Sequence, residues 1–447
     1  MFRKQKQILL LVILVVTSAL NAVAQEPLKL SLQDALKLAM QNNTNILNSE
    51  LDLAMAKKKI WETTATGLPH ADAKASYTFY PKVPVLPASF FDPNAAEGAT
   101  ISLMPKQNVV ADITVSQLIF NGSYIVGLQA VKVYYGLTEQ NKEKARLDVM
   151  ETVVNTYHML QMAEESRKIL NQNLEIMDKT IYEITEMHKQ GFVEKTDVDQ
   201  LEVTKNTILN ALNQIDSNLD MGYRLLKIQL GLEDATKVQL ADEMESENSL
   251  TKSSLQLIGE PFNIDRNIDY QLINTSEKAA KLELKLAKSS YLPTISGFYN
   301  HTEKLKAPLL DFQPKDLIGV NLSLPLFSSG ERSSKVAQMK MSLEKTQNTR
   351  KLVSNSLLMQ ASQYQNDVKL KLEKYQNQKK SKELSDDIYQ RTLEKYKQGM
   401  ASSMDLMTIQ NQYLSNLTSY YQSIYDLQGA KSKLEKLYNI NQETGNQ

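Results

Sequence analysis

Lys189-Gln190-Gly191, followed six residues after the glycine by Asp197, returns as Lys397-Gln398-Gly399 with Asp405. Both copies lie in stretches free of proline, since none occurs between Pro105 and Pro261 or after Pro325. Glycine supplies the positive φ on which helices end, and Thr196, Asp197, Ser402, Ser403 and Asp405 are residue types that begin the next helix. The spacing therefore predicts two turns, each joining a long helix to its return partner. Upstream of each turn the same signals come in the same order. A helix ends in Leu-Pro (Leu68-Pro69, Leu292-Pro293), and an extended segment, a Pro-rich loop and a second extended segment follow. One strand, strand, long-helix-pair unit is read twice.

The long stretches carry heptads. Val149, Val153, Thr156, Leu160, Ala163, Arg167, Leu170, Leu174, Met177, Ile181 and Ile184 follow steps of four and three, with Thr156 and Arg167 the polar exceptions. Val198, Leu201, Lys205, Ile208, Leu212, Ile215 and Leu219 resume the pattern after the first turn. Tyr413, Leu417, Tyr420, Ile424, Leu427, Lys431, Leu434 and Tyr438 do so after the second. A helix running from Ser123 to Gln190, at about 1.5 Å per residue, spans on the order of 100 Å.

The extended segments alternate. Val109 to Ser116 and Ile318 to Leu326 set an apolar face against a polar or small one, Ala71 to Tyr80 does the same, and Thr294 to Thr302 follows weakly. Their length suits a tilted strand crossing a membrane, though alternation alone favours a soluble sheet with one buried face. Four strands cannot close a barrel, but three chains supply twelve.

The N-terminus sets the compartment. Arg3, Lys4 and Lys6 precede an apolar run from Ile8 to Leu20, and Ala22-Val23-Ala24 gives a cleavage signal, so residues 1–24 read as a signal peptide and the mature chain as exported. Residues 25–230 then form the first repeat, 231–262 a linker, 263–438 the second repeat and 439–447 a tail. No later segment is apolar for long enough to span a bilayer as a helix, so a membrane location requires a barrel. The chain has no cysteine, which excludes disulfides, thiolate metal sites and a lipidated N-terminal cysteine. Its charges balance at 51 against 51. Loss of the basic leader leaves a slightly acidic protein, with nothing to suggest nucleic acid.

Over essentially the whole mature sequence the chain resembles the TolC-like outer-membrane efflux proteins. The stretch Leu30-Ser31-Leu32-Gln33-Asp34-Ala35-Leu36 with Asn42-Asn43 is similar to that family's opening helix, and the ordered Leu-Pro and KQG signals match its two repeats. The resemblance implies an α+β membrane protein built from an internal duplication. It implies a homotrimer whose twelve-stranded outer-membrane β-barrel continues into a periplasmic α-helical coiled-coil barrel. The segment 231–262 and the tail would form an equatorial belt. Implied partners are outer-membrane lipid, a periplasmic adaptor (membrane fusion) protein and an inner-membrane pump of RND or ABC type. The function implied is a passive exit duct for small molecules in a tripartite efflux system. A duct for protein or peptide secretion of type I is the rival within the family, and an exported coiled-coil structural or adhesive protein is the rival outside it.

No catalytic constellation competes with a pore. His70, His158, His188 and His301 are dispersed without metal-ligand spacing, and no Walker motif, nucleophile elbow or dinucleotide fingerprint occurs. The chain is read as not an enzyme, without cofactor or metal, so transport energy comes from a partner.

The resemblance also places a gate at the turns. Asp405 matches a ring aspartate facing the pore, Tyr396 and Asp197 match a tie between the two turns, and Thr196 matches one partner of a second tie. Two positions depart from the pattern. A second ring aspartate falls on Thr408, and the arginine of the second tie falls on Ala401. A single ring of three Asp405 carboxylates, raising one another's pKa and attracting cations, is expected. On the same reading, Tyr396→Phe would loosen the closed state. Gly191, Phe192, Gly399 and Met400 are the expected adaptor-docking residues, since exposed Phe and Met at a turn have little other use. Loops 81–106 and 303–315 would face the cell exterior, and Trp61 would pack in the core.

Overall fold

The computed structural model describes residues 27–244, 247–306 and 311–440. The expected signal peptide at 1–24, most of the expected tail at 439–447 and residues 307–310 of the second loop lie outside the described residues. The strands are β1 (Leu28–Leu30), β2 (His70–Phe79), β3 (Val85–Pro87), β4 (Thr100–Ser102), β5 (Gln107–Asn121), β6 (Val238–Leu240), β7 (Thr294–Lys304) and β8 (Asp316–Ser323). The helices are α1 (Leu32–Asn42), α2 (Thr44–Ala65), α3 (Gly122–Lys189), α4 (Lys195–Leu230), α5 (Glu247–Gly259), α6 (Ile268–Ser289), α7 (Glu331–Lys397) and α8 (Ser403–Tyr438). Among the described residues no helix is long and apolar enough to cross a membrane.

The chain divides into two units. One comprises Asp52–Glu139 and Leu272–Lys351 and contains the sheet. Four strands lie in the order β2-β5-β7-β8, each antiparallel to its neighbour. All four expected strands form. β5 runs on to Asn121 through an irregularity between Leu118 and Phe120, and β8 stops at Ser323, ahead of Pro325, which has no N–H to give a ladder. Register pairs Ala73 with Ile113, Ile113 with His301, and Tyr299 with Ile318, which sets Ala71, Ala73, Ala75, Ile113, Val115, Ile318, Val320 and Leu322 on one face, together with Tyr299, His301, Glu303 and Asp316 toward the loop end of the strands, where the Tyr299 hydroxyl donates to Asp316 Oδ1 at 2.6 Å. On this face Ile113, Val115, Ile318, Val320 and Leu322 are exposed. The opposite face is polar and bonded across strands. Thr302 Oγ1 donates to Asp112 Oδ1 at 2.6 Å, and Asn300 Nδ2 donates to Thr114 Oγ1 at 2.8 Å.

Below the strands the Leu-Pro ends behave alike. Gly67 and Leu68 donate to Thr64 and Ala65, and Tyr291 and Leu292 donate to Lys288 and Ser289. The Tyr124 ring lies over Gly67, where any Cβ would overlap it, and its hydroxyl donates to the Thr64 carbonyl at 3.1 Å. Trp61, expected in the core, is instead 64% exposed.

The other unit comprises the described residues up to Leu51, Gln140–Gln271 and those from Leu352 onward. Its core is the helical seam the heptads foretell. Val149, Val153, Leu160, Met177, Ile181 and Ile184 of α3 are buried, as are Leu201, Ile208, Leu212 and Leu219 of α4. The polar heptad positions pair between helices. Arg167 meets Asp216 at 2.7 Å, Lys205 meets Asp178 at 2.8 Å, and Lys431 Nζ donates to Ser253 Oγ at 2.7 Å. An asparagine device occurs twice. Buried Asn43 accepts from the Asn45 N–H and donates to the Gln229 carbonyl at 2.7 Å. Buried Asn267 accepts from the Asp269 N–H and donates to the Leu437 carbonyl at 2.9 Å. Each ties the start of one helix to the last turn of another, satisfying groups that helix ends leave open. The stretch 231–262 is more than a connection. It carries β6, which pairs in parallel with β1, and the described helix α5.

Candidate functional site

Both KQG turns are built the same way. The Gly191 N–H donates to His188 and the Phe192 N–H to Met187, while Gly399 donates to Tyr396 and Met400 to Lys395. This 5→2 and 6→1 pairing is a Schellman ending, with glycine at φ +81 and φ +72. Each return helix then opens with a capping box. In α4 the N-cap is Glu194 with Asp197 at the third position, and in α8 it is Ser402 with Asp405 at the third position. Helix ending, tight turn and capped restart thus follow from a glycine and an aspartate six residues later.

Asp405 is exposed, and its Oδ2 accepts from the Ser402 N–H at 3.1 Å and the Ser402 hydroxyl at 2.7 Å. The Ser402 hydroxyl, then its backbone N–H, hold the carboxyl below its ordinary value. Thr196 bonds only locally, its hydroxyl donating to Glu194 Oε2 at 3.3 Å, and Thr408 donates to Met404 within its own helix at 2.8 Å.

The turns are tied, through a residue the resemblance did not point to. Ser403 is 4% exposed, and its hydroxyl donates to Asp197 Oδ1, with Gln200 Oε1 as a second acceptor at 3.0 Å. The hydroxyl of Tyr396, expected to reach Asp197, is buried with no hydrogen-bond partner in the protein. Burial first, and the neighbouring Asp197 charge second, push it up to about 12. A serine one position past an N-cap carries no pairing signal of its own, which is why sequence reading named it only as a helix starter. The four expected docking residues are exposed, with Phe192 at 76% and Met400 at 65%. Among the described residues no group of three or more His, Cys, Asp or Glu is arranged to hold a metal.

Residues 266–439 match the family described as outer membrane efflux protein. The resemblance to the TolC-like efflux proteins therefore holds in sequence over the second repeat. It holds in fold over nearly the whole chain. The crystal structure of the Campylobacter jejuni CmeC outer membrane channel superposes with a TM-score of 0.72 at 18% identity, over 91% of this chain and 85% of that one. A CusC structure, described by its transmembrane channel formation, gives 0.74 at 13% identity, over 91% of each chain. The outer membrane protein VceC of Vibrio cholerae gives 0.70 at 14% identity, over 91% of this chain and 94% of that one. A sequence search of curated proteins finds no match. The family match thus covers the second repeat, and over nearly the whole chain the likeness to these outer-membrane proteins is one of fold.

Proposed function

We propose that the protein is the outer-membrane exit duct of a tripartite efflux system, a homotrimer that passes small molecules delivered by an inner-membrane pump through a periplasmic adaptor. The observation that carries the reading is the open four-stranded sheet. β2 and β8 each have only one neighbour in the sheet, and the apolar face is exposed. Three antiparallel steps leave β8 running opposite to β2, so β8 of one chain can pair antiparallel with β2 of the next and continue the pattern. Repetition about an axis removes both edges, and lipid covers the apolar face, the polar face being left for the lumen. Three chains bring the strand count to twelve, within the size range of such barrels.

The repeated caps, Asn43 and Asn267 devices and Leu-Pro ends support an origin by duplication, with repeats at 25–230 and 263–438 around the 231–262 segment. The gate lies at the two turns. Asp405 from each copy forms the pore-facing ring, Asp197 takes part in the tie between turns, and Thr196 and Tyr396 flank it. Gly191, Phe192, Gly399 and Met400 form the surface on which the adaptor docks. The paired exposed Phe192 and Met400, on glycine turns with nothing of their own to cover, are what such a surface needs.

The test is single-channel current from detergent-purified protein in a planar bilayer, with oligomer mass measured on the same sample. Small cation-selective steps from a trimer, with selectivity weakened in Asp405→Ala, are expected. A monomer without conductance, soluble without detergent, ends the reading, and unchanged selectivity in Asp405→Ala removes that residue from the pore. Loss of resistance to several unrelated toxic compounds on deletion separates drug efflux from protein secretion.

A further inference from the structure

Within the helical unit a cavity of about 460 Å³ is walled by α3, α7, α8, the first turn of α5 and the stretch that follows β6. Its buried wall is aromatic and apolar. Tyr375, Tyr420 and Tyr421 line it, at 2%, 7% and 9% exposure, beside buried Leu250 and Ile424. Tyr375 stacks on Tyr420, and the Tyr421 ring meets Tyr420 edge-on at 5.2 Å between centroids. The more exposed part of the lining is acidic, with Glu164, Glu165, Asp242 and Glu243 set against one lysine, Lys168. Four carboxylates and one ammonium leave a formal charge of −3.

These carboxylates are held in place without being neutralised. Glu164 accepts from the Tyr223 hydroxyl, and Asp242 Oδ2 accepts from the Leu32 N–H at 2.7 Å and the Tyr157 hydroxyl at 3.1 Å, all uncharged donors. Lys168 meets Glu165 at 3.5 Å, beyond the usual length of such a bond. Elsewhere in the same unit buried charge is matched within the protein, as where Asp426 takes both Lys371 and Lys374. The Tyr421 hydroxyl is also open. It makes no hydrogen bond to a described residue, and burial first and the Glu165 charge second push it above the ordinary tyrosine value, so it keeps its proton.

We propose that this cavity binds a small organic cation, an ammonium carried on an apolar body, with the body against the Tyr420 and Tyr421 rings and the ammonium among Glu165, Glu243 and the Tyr421 hydroxyl. The volume lies in the range of small-molecule pockets, which join an apolar wall to a few placed polar groups. Tyrosine rings and carboxylates attract the same sign of charge, and both act more strongly where water is displaced. Because α3 belongs to one long helix pair and α8 to the other, an occupant touches both pairs. The inference goes beyond the duct reading and does not rest on it, since the cavity lies within a single chain and its ligand need not be the cargo.

The probe is phenethylammonium, and its control is 2-phenylethanol, which has nearly the same shape and no charge. Binding to the full chain, purified in an uncharged detergent, would be measured by titration calorimetry for wild type, Glu165→Gln, Glu243→Gln, Lys168→Gln and Tyr421→Phe. Expected are one phenethylammonium per chain and 2-phenylethanol held about tenfold more weakly, the loss of one charged hydrogen bond. Glu165→Gln and Glu243→Gln should each weaken binding about twofold to fivefold. Tyr421→Phe should weaken it about fivefold. Lys168→Gln should tighten it about twofold to fivefold, because the ligand then has Glu165 to itself. A purely structural role for these side chains would not produce that gain, and the three charge variants, all at partly or fully exposed positions, carry the test if Tyr421→Phe fails to fold. No binding, equal binding of the two probes, or an affinity that none of the charge variants moves means an adventitious additive only and overturns the proposal. The expected pattern in a protein without conductance leaves the cation site standing and removes the duct. A conducting trimer whose binding ignores the charge variants leaves the duct standing and removes the site.

Discussion

The two long helix pairs agree in length and differ in what fills them. α3 and α7 have 68 and 67 residues, and α4 and α8 have 36 each, so the difference between the pairs is one of side chains and not of architecture. The first seam is aliphatic, with Met177, Ile181, Leu201, Ile208 and Leu212 buried, and it is registered by charged pairs at Arg167–Asp216 and Lys205–Asp178. The second is aromatic. Tyr375 stacks on Tyr420 at 6.0 Å between ring centroids, and Tyr389 stacks on Tyr413 at 5.2 Å with the rings 5° from parallel. A tyrosine buries more area than a leucine but brings a hydroxyl that must find a partner. Length and caps therefore build the same hairpin twice, while the seams differ in chemistry, and next to the turns it is the second pair that buries polar groups without a partner in the protein, the Tyr396 hydroxyl and the Gln410 amide.

The comparison can be broken most directly through its rings. Tyr389→Ala is expected to cost about 3–5 kcal/mol, and Ile208→Ala about 2–5 kcal/mol with a lower mean, read as falls in melting temperature of the purified protein. Equal losses would mean that the aromatic seam adds nothing beyond area. Next come the turns. Gly191→Ala and Gly399→Ala should each cost about 1–2 kcal/mol, since both backbones are left-handed and no atom lies where the new Cβ would go. Unequal costs would show that the turns are not equivalent. A smaller effect is expected of Asp216→Asn. Its pair with Arg167 is half exposed, so the loss should be about 0.2–1 kcal/mol and should shrink with added salt.

The smallest effect is a matter of sign. With its folded value held below the ordinary 3.8, Asp405 contributes stability that is present above pH 3.8 and is lost as pH falls through the folded value. A ring of three such carboxylates pushes the other way, so the charge would be lost above pH 3.8. Cation selectivity followed against pH decides between them. A fall beginning above the ordinary value speaks for the ring, and one only below it speaks for the cap alone.

Most of the fold could be read in the sequence because its signals are local. Alternation marked β2, β5, β7 and β8, the absence of proline marked α3 and α7, and glycine marked the turns. What escaped was set by distant pairings. Ser403 finds Asp197 across 206 residues, and Asn43 finds Gln229 across 186, and neither spacing leaves a periodic trace. β1 and β6, of three residues each, are too short to show a pattern. Trp61 was misjudged because hydrophobicity was taken for burial, a rule that runs in one direction only. At the turns, the glycines and aspartates were legible as caps, but whether Asp197 serves Tyr396 or Ser403 depends on the rotation of two helices about their own axes. No single helix encodes that rotation.

On the proposed trimer, the two unpaired edges of the sheet have a consequence for the life of the chain before assembly. A solitary copy carries β2 and β8 as open templates beside an exposed apolar face, the combination that invites indiscriminate strand addition. Its hazard is one of timing more than of stability, because any copy that meets the wrong edge first is lost to aggregation. If the chain assembles as proposed, chaperoning in transit and a local supply of sister chains would belong to the requirements for making it as much as its sequence does.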